Sequence, residues 1–427
     1  MDFSYSPETE ALRRQLTEFM ERYVVPHHAL WAAETQAGAR PVSFMEDLKA
    51  LARDEGLWNL FLPTLPETAP GRGLSNLDYA PLAEIMGRLP WASEAFNCSA
   101  PDTGNMELLN MFATPDQRVR WLDPLFEGAI RSCFAMTEPD VASSDATNVT
   151  TSIRREGPDY VINGRKWFIT GAADPRCKLA LVMGKTDPRA ETHRQQSMIL
   201  VPMDTPGLTV TRDIPVMGRH GHESHCEIVF RNCRVPAENL LGAEGEGFAM
   251  AQARLGPGRI HHCMRSIGQA ELALEMMTER ALERKTFGRY LHDQGQVQDM
   301  IAQSRMEIDQ ARLLVLRAAW TIDREGVRAA RTDVSAIKVV VARMLQTVTD
   351  RAMQLFGAMG LSADTPLPEL WTAGRTLRVF DGPDEVHIRT VARSEFAAAR
   401  ERGGASMAYF TLPDRASETS IRADWGG

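Results

Sequence analysis

Lysine is scarce in this chain: six residues against 42 arginines in 427 positions. That bias fits a GC-rich bacterial genome and so points to a cytoplasmic protein. Positive charge is in deficit as well. A formal net charge of −8, with no basic patch interleaved with aromatics, argues against a nucleic-acid partner. No apolar run approaches the roughly 18 residues that span a bilayer, and Met1-Asp2-Phe3-Ser4 opens no secretory signal. Cys98, Cys133, Cys177, Cys226, Cys233 and Cys263 lack CxxC spacing, so they read as reduced thiols, not a disulfide or metal framework. His220, His222 and His225 share a Gly-rich loop, but no carboxylate or thiol spacing completes a site, and no metal is expected. GxGxxG and Walker loops are missing too, which leaves a Rossmann or nucleotide-hydrolase reading unsupported.

The length allows two or three domains with a large core, and 44% hydrophobic with 24% charged residues is ordinary for a globular protein. Ser6-Pro7 caps a helix in which Leu12, Leu16, Phe19 and Tyr23 recur until Pro26. Ser43-x-x-Glu46 has the form of a capping box, with Met45, Leu48 and Leu51 or Ala52 leading to Gly56. A third helix is expected over about Leu77 to Arg88. From about Gly128 to Gly242 the period changes to short strands, as in a compact antiparallel barrel or sandwich. From Gly247 three long helices follow, seamed by Ile260–Ala281, Val297–Ile322 and Val334–Met359, the pattern of a left-handed bundle. Leu313, Leu316 and Trp320 lie off the seam and imply a second buried face at subunit contacts. The expected architecture is α+β: a helical domain over 1–128, an antiparallel β-barrel over 129–242, a four-helix bundle over 243–402 and a tail over 403–427, where Tyr409-Phe410 could dock on a neighbour.

The stretch from Arg131 to Thr170 organises the rest. Arg131 to Met136 reads as a buried strand that stops at Pro139, before a loop of small residues, hydroxyls and acids to Asn148. Asp159 to Thr170 reads as a β-hairpin turning at Asn163-Gly164. Each half alone suits a β-domain core with a polar loop. Together they suggest a planar, hydrogen-bonding ligand between strand ends.

Thr137-Glu-Pro…Ser144-Asp145, followed by Asn163-Gly-x-Lys-x-x-Ile-Thr170, resembles the flavin-binding segments of the acyl-CoA dehydrogenases. The resemblance implies FAD, with Phe134, Met136, Thr137 and Ser144 along one side of the flavin and Phe168 and Thr170 on the other. Most members carry one serine in this loop and a tryptophan at the Phe168 position. Here the loop is one residue longer and holds both Ser143 and Ser144, leaving open which meets the flavin. The Pro139–Asn148 run is similar to that of the animal family members ten and eleven. The same resemblance places Asp102 and Asn105 on a helix lining the acyl pocket, with Ser144 and Gly382 also beside substrate.

The family's base motif matches Phe380-Asp381-Gly382-Pro383, so the resemblance makes Asp381 the carboxylate that takes the α-proton. Read as a bare dipeptide, Asp-Gly is a turn between helices. Some members place the base directly before an arginine on an earlier helix; that arginine matches Arg259, but Gly258 precedes it. Arg259 then orders the base loop or substrate. Gly256-Pro257-Gly258 is a kink or a helix start. Glu283-Arg284-Lys-Thr286-Phe287-Gly288 resembles the motif that reaches a neighbouring subunit's FAD, with Gln296 following. Gln354-Leu-Phe-Gly357-Ala358 resembles the run at the adenosine end, and Pro383 and Glu385 complete the FAD set. The implied activity is α,β-dehydrogenation of an acyl-CoA thioester by a homodimer or homotetramer, with an electron-transfer flavoprotein as acceptor. A flavin oxidase or monooxygenase on this scaffold, or a non-catalytic assembly protein, is the alternative.

Overall fold

A computed structural model describes residues 4–221 and 223–410, at 255–257 through the backbone only. His222 and the tail from residue 411 lie outside the described residues. Pro7 opens α1 (Pro7–Phe19), whose Ser6 hydroxyl accepts from Thr9 N–H, so the expected cap forms. The expected stop at Pro26 does not. The chain widens to a π turn over Met20–Val24, tightens to a 3₁₀ turn over Val25–His27 and resumes as α2 (His28–Gln36). Changing the hydrogen-bond spacing accommodates a proline that has no N–H to give. The Ser43 capping box is also absent: Ser43 N–H and Oγ bond Glu34, and α3 (Met45–Asp54) begins at Phe44 without a side-chain cap. Next come α4 (Asn76–Gly87), capped by Ser75, α5 (Asp102–Phe112), and the short α6 (Pro115–Gln117) and α7 (Asp123–Phe126).

Eight strands follow: β1 (Arg131–Ala135), β2 (Ser152–Glu156), β3 (Asp159–Thr170), β4 (Cys177–Lys185), β5 (Gln196–Pro202), β6 (Leu208–Asp213), β7 (His225–Pro236) and β8 (Leu240–Leu241). They make one sheet in the order β6-β7-β3-β2-β4-β5-β8, with β1 added parallel to β4. The sheet is open, which corrects the expected barrel: the end strands β6 and β8 pair only inward. Closure requires pairing between end strands, and strand spacing in a sequence does not encode it. One face, with Leu179, Leu181, Met183, Met198 and Leu200, joins the helical core. The other, with Ile153, Ile162, Val182, Ile199 and Ile228, forms a core of its own.

The hairpin expected at Asn163-Gly164 is a second correction. β3 is one unbroken strand, and the turn lies at Gly157-Pro158, where Gly157 has φ 62°. Gly164 is needed for a different reason: a Cβ there would sit 2.3 Å from Thr151 Oγ1. Asn163 instead accepts from Asn232 N–H across a bulge. Asn-Gly serves both a turn and a close approach, so the dipeptide alone is ambiguous.

Helix α8 (Gly247–Glu283) is continuous through Gly256-Pro257-Gly258, which is therefore interior and not a helix start. A small hairpin, β9 (Lys285–Thr286) and β10 (Arg289–Tyr290), leads to α9 (Gly295–Glu325), α10 (Arg331–Phe356), α11 (Leu367–Leu377) and α12 (Asp384–Glu401). The seam residues Ile260, Met264, Ile267, Ile308, Val315, Ile337, Val341 and Val348 are buried, as the periodicity requires. Leu313 and Trp320 remain exposed on this single chain. No helix among the described residues is long and apolar enough to cross a membrane.

Two glycines set where α8 lies. A Cβ on Gly268 would fall 1.9 Å from Glu84 O, and one on Gly87 would fall 2.3 Å from Arg265 O. Backbone thus meets backbone where α4 crosses α8. Gly268→Ala is expected to lower the urea midpoint by an overpacking cost of at least about 1–3 kcal/mol. Gly258→Ala, on the same helix with nothing within 4 Å of the added carbon, should instead gain up to about 1 kcal/mol from helix propensity.

Candidate active site

The strand ends singled out by sequence do meet. Trp167 N–H donates to Thr137 O at 3.1 Å and the Thr137 hydroxyl donates to Trp167 O at 2.6 Å, which lays Met136-Thr137 beside Trp167-Phe168. A buried ion pair fixes this junction. Lys166 Nζ reaches Met136 O at 2.7 Å and Glu138 Oε1 at 2.9 Å, and Glu138 also accepts from Thr150 and Thr151 N–H. Burial opposes the Glu138 charge, but Lys166 and these hydrogen bonds prevail and hold its pKa at about 2. Phe168 sits at φ 52° where β3 slips against β7, and the residue is 44% exposed instead of joining the sheet core. Phe134 and Met136 are half-buried close by, and the Thr170 hydroxyl lies 3.1 Å from His225 Nδ1.

The two serines differ. Ser143 Oγ accepts from Glu138 N–H at 2.9 Å and donates to Glu138 O, tying the loop to itself. Ser144 is exposed, and its hydroxyl bonds nothing among the described residues. A free hydroxyl, an outward aromatic ring and half-buried apolar side chains at strand ends suit a flat heteroaromatic ring with polar edges, as the flavin of FAD is.

Asp102 and Asn105 are buried, and their polar atoms are engaged within the protein. Asp102 accepts from Ser132 N–H, Ser132 Oγ and Arg131 Nε, while Asn105 donates to Ser132 Oγ and accepts from Arg254 Nε at 2.9 Å. The Arg254 guanidinium lies 4.1 Å from the centre of the Phe134 ring, so α5, β1 and α8 are joined at one point.

Asp381 lies in the loop between α11 and α12, with φ 53°, and Gly382 follows at φ 97°. A left-handed pair is tolerated by aspartate and favoured by glycine. Arg259 Nε donates to Asp381 O at 2.9 Å, and His387 Nε2 lies 3.2 Å from the same oxygen. Lys338, buried in α10, donates to Leu377 O, to Phe380 O at 2.7 Å and to Gly382 O at 3.3 Å. The Asp381 carboxylate remains 20% exposed, with Oδ2 3.5 Å from His262 Nε2. His262 Nδ1 faces Arg265 Nη2 at 3.2 Å. A guanidinium can only donate, so Nδ1 accepts, and Nε2 carries the ring proton toward Asp381. Burial, reinforced by Arg265, lowers the His262 pKa to about 3, and the ring is neutral. For Asp381, burial disfavours charge, yet His262, Arg254, Lys338 and Arg259 outweigh it and keep the carboxyl below its ordinary range.

Arg284, Phe287, Gln296, Gln354, Gly357 and Ala358 lie on the outside of the chain, with Phe287 99% exposed. Phe287 and Gly288 take the two positive φ angles of the β9–β10 turn, Thr286 is half-buried, and Glu385 is exposed in the first turn of α12, with Pro383 at the N-cap. Sequence reasoning missed Lys338, His262, His387 and Arg254. Lys338 carried a usable signal, being one of six lysines and set within the apolar run Val334–Val341.

Comparison with known proteins identifies the family. The acyl-CoA dehydrogenase N-terminal, middle and C-terminal domain profiles match residues 6–129, 133–233 and 245–396. FadE2 of Mycobacterium tuberculosis, named as an acyl-CoA dehydrogenase, is 54% identical over 95% of this chain and all of its own length. Acyl-CoA dehydrogenase family member 10 of Mus musculus is 54% identical over 91% of this chain, which spans only 37% of that longer protein. A solved chain from Mycobacterium abscessus, likewise named for these enzymes, superposes with a TM-score of 0.90 at 48% identity over 93% of this chain and all of its own. The chain belongs to the acyl-CoA dehydrogenase family, whose cofactor is FAD.

Proposed function

We propose that the chain converts an acyl-CoA thioester to the trans-2-enoyl-CoA, with Asp381 as the base. The observation that carries the reading is an ionised, partly exposed carboxylate on a loop whose backbone is clamped by Arg259, His387 and Lys338. Bound FAD would supply the hydride acceptor at flavin N5. Asp381 takes the proton from the α-carbon as the β-carbon loses hydride, and the neutral Nε2–H of His262 steadies the oxygen that does not take the proton. Thr137, Ser144, Phe168 and Thr170 hold the flavin ring, and Ser143 holds the loop that presents Ser144. The electrons pass on to an electron-transfer flavoprotein. Exposed Arg284 and Phe287, with Gln296 and Gln354, reach the FAD of a neighbouring subunit in a homodimer or homotetramer.

Asp381→Asn is expected to keep FAD and bind acyl-CoA while anaerobic flavin reduction falls by roughly 10²–10⁴-fold. Stopped-flow bleaching, with affinity measured separately, checks this; unchanged reduction would remove Asp381 from the role. Because its pKa is depressed, protonation should silence the wild type only below the ordinary carboxylate value of about 3.9, and reduction should stay level through mildly acidic pH. Arg284→Ala should lose FAD on gel filtration while the fold survives. Full occupancy in a protein that sediments as a monomer would contradict the shared site. Ser144→Ala should weaken FAD retention or shift the flavin absorbance with little change in stability, whereas Ser143→Ala should chiefly loosen the loop, read as faster proteolysis there.

A further inference from the structure

We infer that Lys338 is a positioning residue for the reaction: its ammonium group, by binding the carbonyls on either side of Asp381, sets where the carboxylate stands relative to the substrate. The inference rests on Asp381 being the base. The residue is 1% exposed, so the cation has left water, and its three acceptors are all backbone oxygens. They belong to Leu377, the last residue of α11, and to Phe380 and Gly382, the immediate neighbours of Asp381. One ammonium therefore joins the end of a helix to both flanks of the left-handed residue that follows it. A cation is suited to this place, because the last carbonyls of a helix have no partners of their own and carry partial negative charge. Lys338 also lies 5.3 Å from the centre of the Phe380 ring, which packs edge-on against His262 at 4.9 Å. Backbone and side chain of the loop are thus referred to one atom of α10, itself packed against α8.

The charged and titratable groups around this pair are Arg254, Arg259, His262 and Cys263 from α8, and Asp384 and His387 from α12. Asp384 is engaged by Arg343 and Arg378, and His262 and His387 are neutral through burial. Arg254, Lys338 and Arg259 are the cations acting on Asp381, and burial lowers the pKa of Lys338 among them. Removing Lys338 therefore has two consequences that a residue serving only to fill the core would not produce together. The loop loses its reference point, and Asp381 loses one of the charges that keep it ionised.

Lys338→Met in the FAD-loaded protein tests this, beside wild type and Asp381→Asn. Flavin reduction is measured anaerobically against pH with the best reducer from a straight-chain series, butyryl-CoA to palmitoyl-CoA. The expected result is retained FAD, a rate lowered by about 10²-fold, the loss associated with misplacing a reacting group by about an ångström, and an acid limb moved to higher pH. A folded Lys338→Met protein with wild-type rate and an unmoved acid limb would overturn the inference. If methionine prevents folding, Lys338→Ala is prepared with and without propylammonium, and propanol as the uncharged control. Recovery with the ammonium alone supports the assignment; a refolded protein that stays slow, or recovers equally with propanol, overturns it. Wild-type reduction by Asp381→Asn would remove the base assignment instead, which separates the two failures.

Discussion

The site depends on the contact between α4 and α8, where two glycines let backbone approach backbone. Helix α8 carries Arg254, Arg259, His262 and Arg265, and each meets a different part of the molecule: Asn105 on α5, the Asp381 carbonyl, the Asp381 carboxylate and Cys98 O. A helix places its side chains rigidly with respect to one another. Its depth against α4 therefore bears on all four at once. A larger residue at the crossing would shift every one of these groups together, because interiors this dense transmit displacement instead of absorbing it.

The electrostatics follow from that geometry. The Asp381 carboxylate sits among Arg254, Arg259 and Lys338, with Glu107 and Asp102 also acting on Arg254 and Asp384 on Lys338. The cations are tolerated because their donors end on backbone carbonyls or on the Asn105 amide oxygen, so they are hydrogen-bonded without being neutralised. Burial opposes the Asp381 charge, and His262 together with these cations outweighs it. Burial, reinforced by neighbouring cations, keeps both nearby histidines neutral, so the Nε2 side of His262 faces the carboxylate without competing for its proton.

The sheet contributes in another way, through its irregularities. β3 slips against β7 at Asn163 and again at Phe168, and the second slip turns an aromatic ring out of the core to the edge where the flavin is expected. Bulges of this kind re-aim a side chain without ending the strand. The buried Lys166–Glu138 pair holds the adjoining loop at the same edge, which leaves Ser144 facing outward.

Much of this was legible in the sequence. The helical seams of α8, α9 and α10 follow from apolar spacing, because burying one stripe of a helix demands that period. The strands between Arg131 and Leu241 follow from short β-rich runs, and the Thr137, Lys166–Thr170 and Asp381 segments stood out through their motif likeness. What the sequence could not decide was anything set by a partner distant in the chain. Asn163-Gly164 reads as a turn until Thr151 is seen against the glycine, Pro26 reads as a stop until the π turn precedes it, and strand spacing is silent on closure. Lys338 showed only as a rare lysine within an apolar run, without its partner, and His262 was invisible as a site residue, for the same reason. They lie 43 and 119 positions from Asp381 in the chain (381 − 338 and 381 − 262), and only the packing of α8 and α10 brings them to it. Local periodicity is written in neighbouring residues, whereas contact between distant ones exists only once the helices have packed.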